Sequence, residues 1–154
     1  DFATALNCIN QTASFTPQVS YRVKRWQWDF GDPAAGAANR SAEAAPAHQY
    51  TAPGRYRVRL VTQNLCNEYD TVTKNVTVYP APAVRFPQDT VTVCYQQVPL
   101  ALSVPPQFGT AYRWHTGDTT ASLQAAQTGW YRLTATNPCG TARDSVYLQV
   151  QPEA

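Results

Sequence analysis

The chain has 154 residues and a formal net charge of +2, with charged residues only 14% of the total; this allows one domain or two small ones and excludes a strongly polyanion-seeking surface. Split at Pro80, it carries 8 basic against 6 acidic residues and then 4 against 4, so neither half favours nucleic acid. No apolar run approaches the roughly 18–20 residues of a membrane helix, which excludes helical membrane insertion. Abundant Thr, Val, Gln, Ala, Tyr and Pro, with no Met, is strand and turn chemistry and predicts an all-β class. A chain without an initiator Met or an apolar leader reads as a mature product or a segment of something longer.

In chain order, Cys8 is the first of four cysteines, followed by Cys66, Cys94 and Cys139. Two fall on each side of Pro80, the arrangement expected if each half holds its own bridge. None forms a C-x-x-C pair, and the two histidines, His48 and His115, lie far from any cysteine in sequence, so disulfides are preferred over a metal site. Such bridges point to an oxidising, extracytoplasmic compartment.

Trp26-Gln27-Trp28-Asp29-Phe30-Gly31-Asp32 comes next. Trp28 and Phe30 have core size, while Asp29 and Asp32 flank a Phe-Gly step where a short carboxylate accepts backbone N–H bonds and holds a tight turn. A calcium site needs more oxygen ligands than this segment supplies, so turn-holding is the preferred role. The stretch from Asp32 to Ala47, rich in Ala and interrupted by Pro33, Gly36 and Pro46, shows no helical face and reads as a long surface loop. His48, between Pro46 and Tyr50, has no partner recognisable in the sequence for proton transfer, and a packed or hydrogen-bonded histidine at a strand start explains it.

Gly54-Arg55-Tyr56-Arg57-Val58-Arg59-Leu60 alternates at a period of two, which buries Tyr56, Val58 and Leu60 and turns Arg55, Arg57 and Arg59 to water. The three arginines, with Arg22, Lys24 and Arg25 as candidate extensions, form a basic stripe that offers a ligand surface or simply discourages edge pairing. Val72 to Val78 is a further alternating strand, with Val72, Lys74, Val76 and Val78 on one parity. Tyr79-Pro80-Ala81-Pro82-Ala83 follows, where alternate prolines remove donors and stiffen the path. The predicted organisation is a domain over residues 1–79, a linker over 80–83 and a domain over 84–154.

The second half repeats the first. Trp114-His115-Thr116-Gly117-Asp118 corresponds to Trp28 through Asp32, and Gly129-Trp130-Tyr131-Arg132-Leu133-Thr134-Ala135 to Gly54 through Leu60. Cys139 then follows its strand much as Cys66 does, and Val146, Leu148 and Val150 share a face. Burial of Tyr131 and Leu133 turns Trp130 outward, and Tyr147 likewise opposes Val146 and Leu148. These exposed aromatics form a candidate platform for a sugar ring or a protein module. His115, like His48, is given a packing role. No G-x-S-x-G, H-E-x-x-H or Gly-rich phosphate loop is present, so no enzymatic activity is expected and no cofactor or metal is implied.

Three ordered blocks, Trp26 to Asp32, Pro46-Ala47-His48-Gln49-Tyr50 and Gly54 to Leu60, resemble the PKD domain, an immunoglobulin-like β-sandwich, over roughly Phe2 to Tyr79. Pro33 replaces a glycine common in that family, and the following insertion is long, so the hairpin there is expected to differ. The second half, with Tyr112 to Thr120, Gly129-Trp130-Tyr131 and Asn137-Pro138-Cys139-Gly140, resembles degenerate immunoglobulin-like repeats of large surface proteins common in the Bacteroidetes, which precede gliding-motility or type IX secretion sorting domains. The expected fold is therefore two tandem immunoglobulin-like (PKD-like) β-sandwiches, each with one intradomain disulfide.

These resemblances imply an extracellular or cell-surface structural or adhesive module, a spacer or a filament subunit, whose partners are neighbouring modules, copies of itself or surface polysaccharide. The alternative is a carbohydrate-binding accessory region of a secreted hydrolase. Asp70-Thr71-Val72, Asp89-Thr90-Val91, Asp118-Thr119-Thr120 and Asp144-Ser145-Val146 resemble O-glycosylation acceptors of that bacterial group, which makes Thr71, Thr90, Thr119 and Ser145 candidate modification sites. The same tripeptides are also ordinary strand-entry chemistry.

Overall fold

A computed structural model of the chain describes residues 1–5 and 7–152. They form two units, Asp1–Pro80 and a second that begins at Ala81. In the first, strands β1 (Phe2–Thr4), β3 (Thr12–Pro17) and β6 (Ala47–Gln49) make a three-stranded sheet in the order β1-β3-β6. The facing sheet runs β2-β8-β7-β4-β5, with β2 (Asn7–Cys8), β4 (Val23–Asp29), β5 (Arg40–Ser41), β7 (Gly54–Asn64) and β8 (Tyr69–Tyr79). Period-two alternation sends one set of side chains from each sheet into the space between them. That core holds Phe2, Phe15, Trp28, Phe30, Val58, Leu60, Val76 and Val78, all buried. Its aromatics meet edge to face, Phe2 to Trp28 at 5.2 Å and Phe2 to Phe15 at 6.2 Å.

Two residues on core parity behave differently. Tyr56 is only half-buried, because its hydroxyl reaches out to donate to the Ala52 carbonyl at 2.7 Å. Lys74 is tolerated because its ammonium donates to the Phe2 carbonyl at 2.6 Å and pairs with Asp1 at 2.7 Å, leaving only the aliphatic stem against the core. The segment expected to be a plain loop after Asp32 contains more structure than that. Short 3-10 turns cover Pro33–Asn39, broken at Gly36 with φ 59°. β5 then adds to the sheet edge by pairing Ser41 with Trp28 and Arg40 with Asp29.

The second unit has a two-stranded sheet of β10 (Leu100–Ser103) and β12 (Ser122–Ala125). Its other sheet has four strands in the order β11-β13-β14-β9, with β9 (Thr90–Cys94), β11 (Ala111–Trp114), β13 (Gly129–Asn137) and β14 (Gly140–Gln151). Trp114, Tyr131, Leu133, Ala135, Val146 and Leu148 fill this core, while Val150 is half-buried. Trp28 and Trp114 occupy matching places, and each ring N–H donates to a carbonyl of the segment that follows, Glu43 at 3.0 Å and Thr120 at 2.9 Å. Among the described residues no helix is long and apolar enough to cross a membrane.

The predicted cysteine pairing is wrong. The disulfide-bonded cysteines are Cys8 and Cys139, and Cys66 and Cys94 are free and exposed, so neither half holds a bridge of its own. Strand geometry explains why. Cys8 pairs with Tyr79 at the far end of β8, whereas Cys66 lies in the hairpin turn that precedes Tyr69. Eleven residues of extended strand separate those ends, roughly 30 Å at about 3.3 Å per residue, against a Cα separation of at most about 7 Å for a disulfide. In the second unit Cys94 pairs with Gln151 at the end of β14, and Cys139 lies in the turn before Gly140. The same arithmetic over twelve residues puts them roughly 35 Å apart.

Candidate functional site

Two places in the molecule concentrate chemistry. The first is a polar cluster inside unit 1. Gly31, at φ +69°, lies so close to β7 that a Cβ would stand 2.6 Å from the Arg57 carbonyl oxygen, so only glycine fits. This turn is held by Asp29, whose Oδ1 accepts from the Gly31 N–H at 2.9 Å and from Asn39 Nδ2 at 3.2 Å. Asn39 returns an acceptor to the Asp32 N–H at 2.7 Å. Having passed the glycine, the chain directs Asp32 inward, where its Oδ2 meets His48 Nε2 at 3.0 Å.

The His48 and Asp32 side chains are 3% and 7% exposed. The imidazole stacks on Phe30 at 4.5 Å and meets Tyr50 edge to face at 4.5 Å. Tyr50 donates to the Phe30 carbonyl at 3.1 Å, and burial, with the Asp32 charge second, pushes its phenol well above the ordinary tyrosine value. Tyr56, 4.1 Å from Tyr50 ring to ring, is pushed up by the same two causes. An Asp–His couple has the composition of a general-base pair, but among the described residues no nucleophile is bonded to it and both side chains are buried, so its work is to satisfy buried polar atoms. Sequence reasoning found no partner for His48. Asp32 lies sixteen residues upstream, across a loop whose path no local pattern encodes.

The second place is the outer face of the four-stranded sheet of unit 2. β13 and β14 put Trp130 opposite Tyr147, with ring centroids 5.3 Å apart at 61°. Trp130 is 51% exposed and Tyr147 half-buried, so the two candidate aromatics form one platform. The next outward pairs along the ladder are Arg132 with Ser145 and Thr134 with Arg143, and β11 sets Arg113 beside Thr134. A shallow groove is lined by Arg113, Arg132, Arg143 and His115. Sequence reasoning missed these arginines. Arg132 shares Trp130's parity and was legible; Arg113 and Arg143 needed the register. His115 is exposed, its Nδ1 accepting from the Arg132 N–H at 3.4 Å and its ring edge-on to Tyr131.

The remaining candidates are dispersed. Arg55, Arg57 and Arg59 are exposed along β7, opposite Thr77, Asn75 and Thr73 of β8. Arg25 pairs with Gln63 and Lys24 bonds to Asn67 at 3.0 Å; they belong to the other end of β7, roughly 25 Å from Arg55 by strand rise, and do not extend the stripe. Thr71, Thr90 and Thr119 are exposed and Ser145 is half-buried. Among the described residues no group of three or more His, Cys, Asp or Glu side chains is placed to hold a metal ion.

Paired sheets around an aromatic core, with polar atoms sealed inside and aromatic and basic side chains on open strand faces, define an all-β module of immunoglobulin-like build. Residues 2–78 match the family model described as PKD domain, and the chain belongs to the PKD domain family. The structure of Dscam1 isoform 1.9, N-terminal four Ig domains, is similar over 96% of this chain and 43% of that one, at 14% identity and a TM-score of 0.67; it supports the immunoglobulin-like fold of both units. The PKD1 domain of Vibrio anguillarum Epp matches at 23% identity over 51% of this chain and 88% of that one, with a TM-score of 0.43. The PKD1 domain of the Vibrio cholerae metalloprotease PrtV matches at 23% identity over 51% and 91%, with a TM-score of 0.41. No curated protein matches the chain. The modules found are non-catalytic PKD and immunoglobulin-like domains.

Proposed function

We propose that this chain is a structural or adhesive segment of an extracellular protein, acting through its surfaces as a spacer or as a subunit of a surface filament. The carrying observation is where the chemistry lies: the one Asp–His couple of unit 1 is sealed in the core, which leaves exposed strand faces and turns to meet a partner. Membership of the PKD domain family and the bonded Cys8 and Cys139 support an oxidising, extracellular setting. Electron microscopy of native material beside the purified chain tests the reading. Regular polymers support a structural subunit; a purified chain that hydrolyses a chromogenic substrate panel would refute it.

A second reading, a carbohydrate-binding accessory region, is favoured by the Trp130–Tyr147 platform, since exposed aromatic faces stack on sugar rings. Retention on immobilised polysaccharides measures it. Trp130→Ala is expected to abolish retention while costing about 1–2 kcal/mol of stability from the lost contact with Tyr147, so the variant stays folded, and retention unaffected by the substitution would remove the reading.

A further inference from the structure

Unit 2 spreads its few charges unevenly. From Ala81 onward the chain has four basic and four acidic residues. Of the basic ones all but Arg85 line a single groove of about 580 Å³ on the outer face of the four-stranded sheet. The strand register sets these three arginines in a triangle. Arg113 on β11 and Arg143 on β14 lie on either side of Thr134, so their Cα atoms are about 10 Å apart at about 4.8 Å per strand. Arg132, two residues from Thr134 along β13, is roughly 8 Å from each. All three are exposed, and among the described residues none forms an ion pair. The one carboxylate lining the groove is that of Asp144. It is already engaged by the backbone, Oδ2 accepting from the Phe86 N–H and Oδ1 from the Ser145 N–H, both at 2.8 Å.

We propose that this groove takes the carboxylate or sulfate groups of an acidic polysaccharide. Three like charges held this close without a counter-charge of their own repel one another, and an anion between them relieves that. Each guanidinium offers a planar fork of N–H donors that matches a pair of anionic oxygens. Thr134 and Ser145 line the same groove, and their hydroxyls can exchange hydrogen bonds with those of a sugar. Trp130 is two residues from Arg132 on the same face of β13, so the aromatic pair begins about 7 Å further along the strand. An extended sugar chain laid along β13 meets both features, its rings on the aromatics and its charges at the arginines. A dense polyanion such as nucleic acid fits less well, because the charges of unit 2 sum to zero and give it little long-range pull. The inference rests on the carbohydrate-binding reading above and names the class of sugar.

Retention on immobilised polymers that differ only in charge tests the inference: polygalacturonate against its full methyl ester for carboxylate, and dextran sulfate against dextran for sulfate. The acidic member of one pair or both is expected to hold the chain about tenfold more strongly than its neutral partner, which tells carboxylate from sulfate, and added salt should weaken it. Arg113→Gln, Arg132→Gln and Arg143→Gln should each lower acidic retention about two- to fivefold, and together about tenfold or more. The matched control, Arg55→Gln with Arg57→Gln and Arg59→Gln, removes the same charge from exposed positions of β7 and should leave retention unchanged. Equal retention of acidic and neutral members overturns the inference, and so does no acidic retention at all. It is also overturned if the β7 control loses as much as the groove variant, or if a single-stranded oligonucleotide is held as tightly as the acidic sugars. Retention abolished by Trp130→Ala but untouched in the triple groove variant would remove the groove and keep the sugar-binding reading. Acidic retention lost in the groove variant but untouched by Trp130→Ala would keep the groove and remove the aromatic platform.

Discussion

At equivalent points of the repeat, unit 1 reads Trp28-Asp29-Phe30-Gly31-Asp32 and unit 2 reads Trp114-His115-Thr116-Gly117-Asp118, and the two segments do different things. The tryptophans are alike, both buried with their ring N–H satisfied. Beyond them, Phe30 enters the core and Asp32 is drawn inside to His48, whereas Thr116 and Asp118 are exposed and bond to each other at 2.6 Å. The glycines differ too: Gly31 touches the Arg57 backbone, while Gly117, at φ +101°, has nothing within 4 Å of where a Cβ would stand. One plan therefore accommodates a sealed polar cluster in one unit and an open, aromatic and basic sheet face in the other. At this turn the backbone is confined in unit 1 and open in unit 2.

Substitutions at matched positions show how far that contrast holds. Trp28→Ala and Trp114→Ala are expected to be equally severe, about 3–5 kcal/mol each from lost burial and cavity formation, measured by calorimetry; a clear inequality would show that the two cores do not pack alike. At the glycines the units should part. Gly31→Ala should cost about 3 kcal/mol, from a left-handed backbone plus overlap with the Arg57 carbonyl. Gly117→Ala should cost about 1 kcal/mol, from backbone conformation alone. Equal costs in urea unfolding would deny the close approach.

Asp32→Ala should cost about 2 kcal/mol, because it leaves a buried imidazole without its partner, against about 0.5 kcal/mol or less for the exposed Asp118→Ala. Tyr50→Phe should cost about 1 kcal/mol near neutral pH, from one lost hydrogen bond. It carries a pH signature. The folded-state Tyr50 phenol titrates above its unfolded value of about 10, so the folded state holds the proton more tightly. The wild type therefore loses stability as pH rises past about 10. Tyr50→Phe should remove the share of that loss that Tyr50 contributes, leaving the share of Tyr56, and stability differences between the two proteins that do not change between about pH 9 and 11 would show that Tyr50 contributes none.

Period-two alternation made β7, β13 and β14 legible, together with their buried residues Val58, Leu60, Leu133 and Leu148, because a strand's pleat is written directly in its residue order. The outward turn of Trp130 followed from the same parity. Tyr56 was mistaken for a full core residue because parity does not reveal that a polar tip will reach back to Ala52. β5 escaped notice because two residues leave no periodic signal, and the Asp32–His48 couple because it closes across that same irregular segment.

The cysteines mark the boundary most clearly. Two per half was a property of the sequence, and so was their matched placement in the two repeats. That they could not pair within a half was decided by which ends of long strands they occupy, once β2 lay against the end of β8 and β9 against the end of β14. Sequence by itself determined the all-β class, the duplicated plan and the alternation that fills each core, because these depend on local order. Tertiary structure alone decided which cysteines bond, which histidine is buried against an aspartate and which arginines line one groove of unit 2, because register and strand length set distances that no local pattern records.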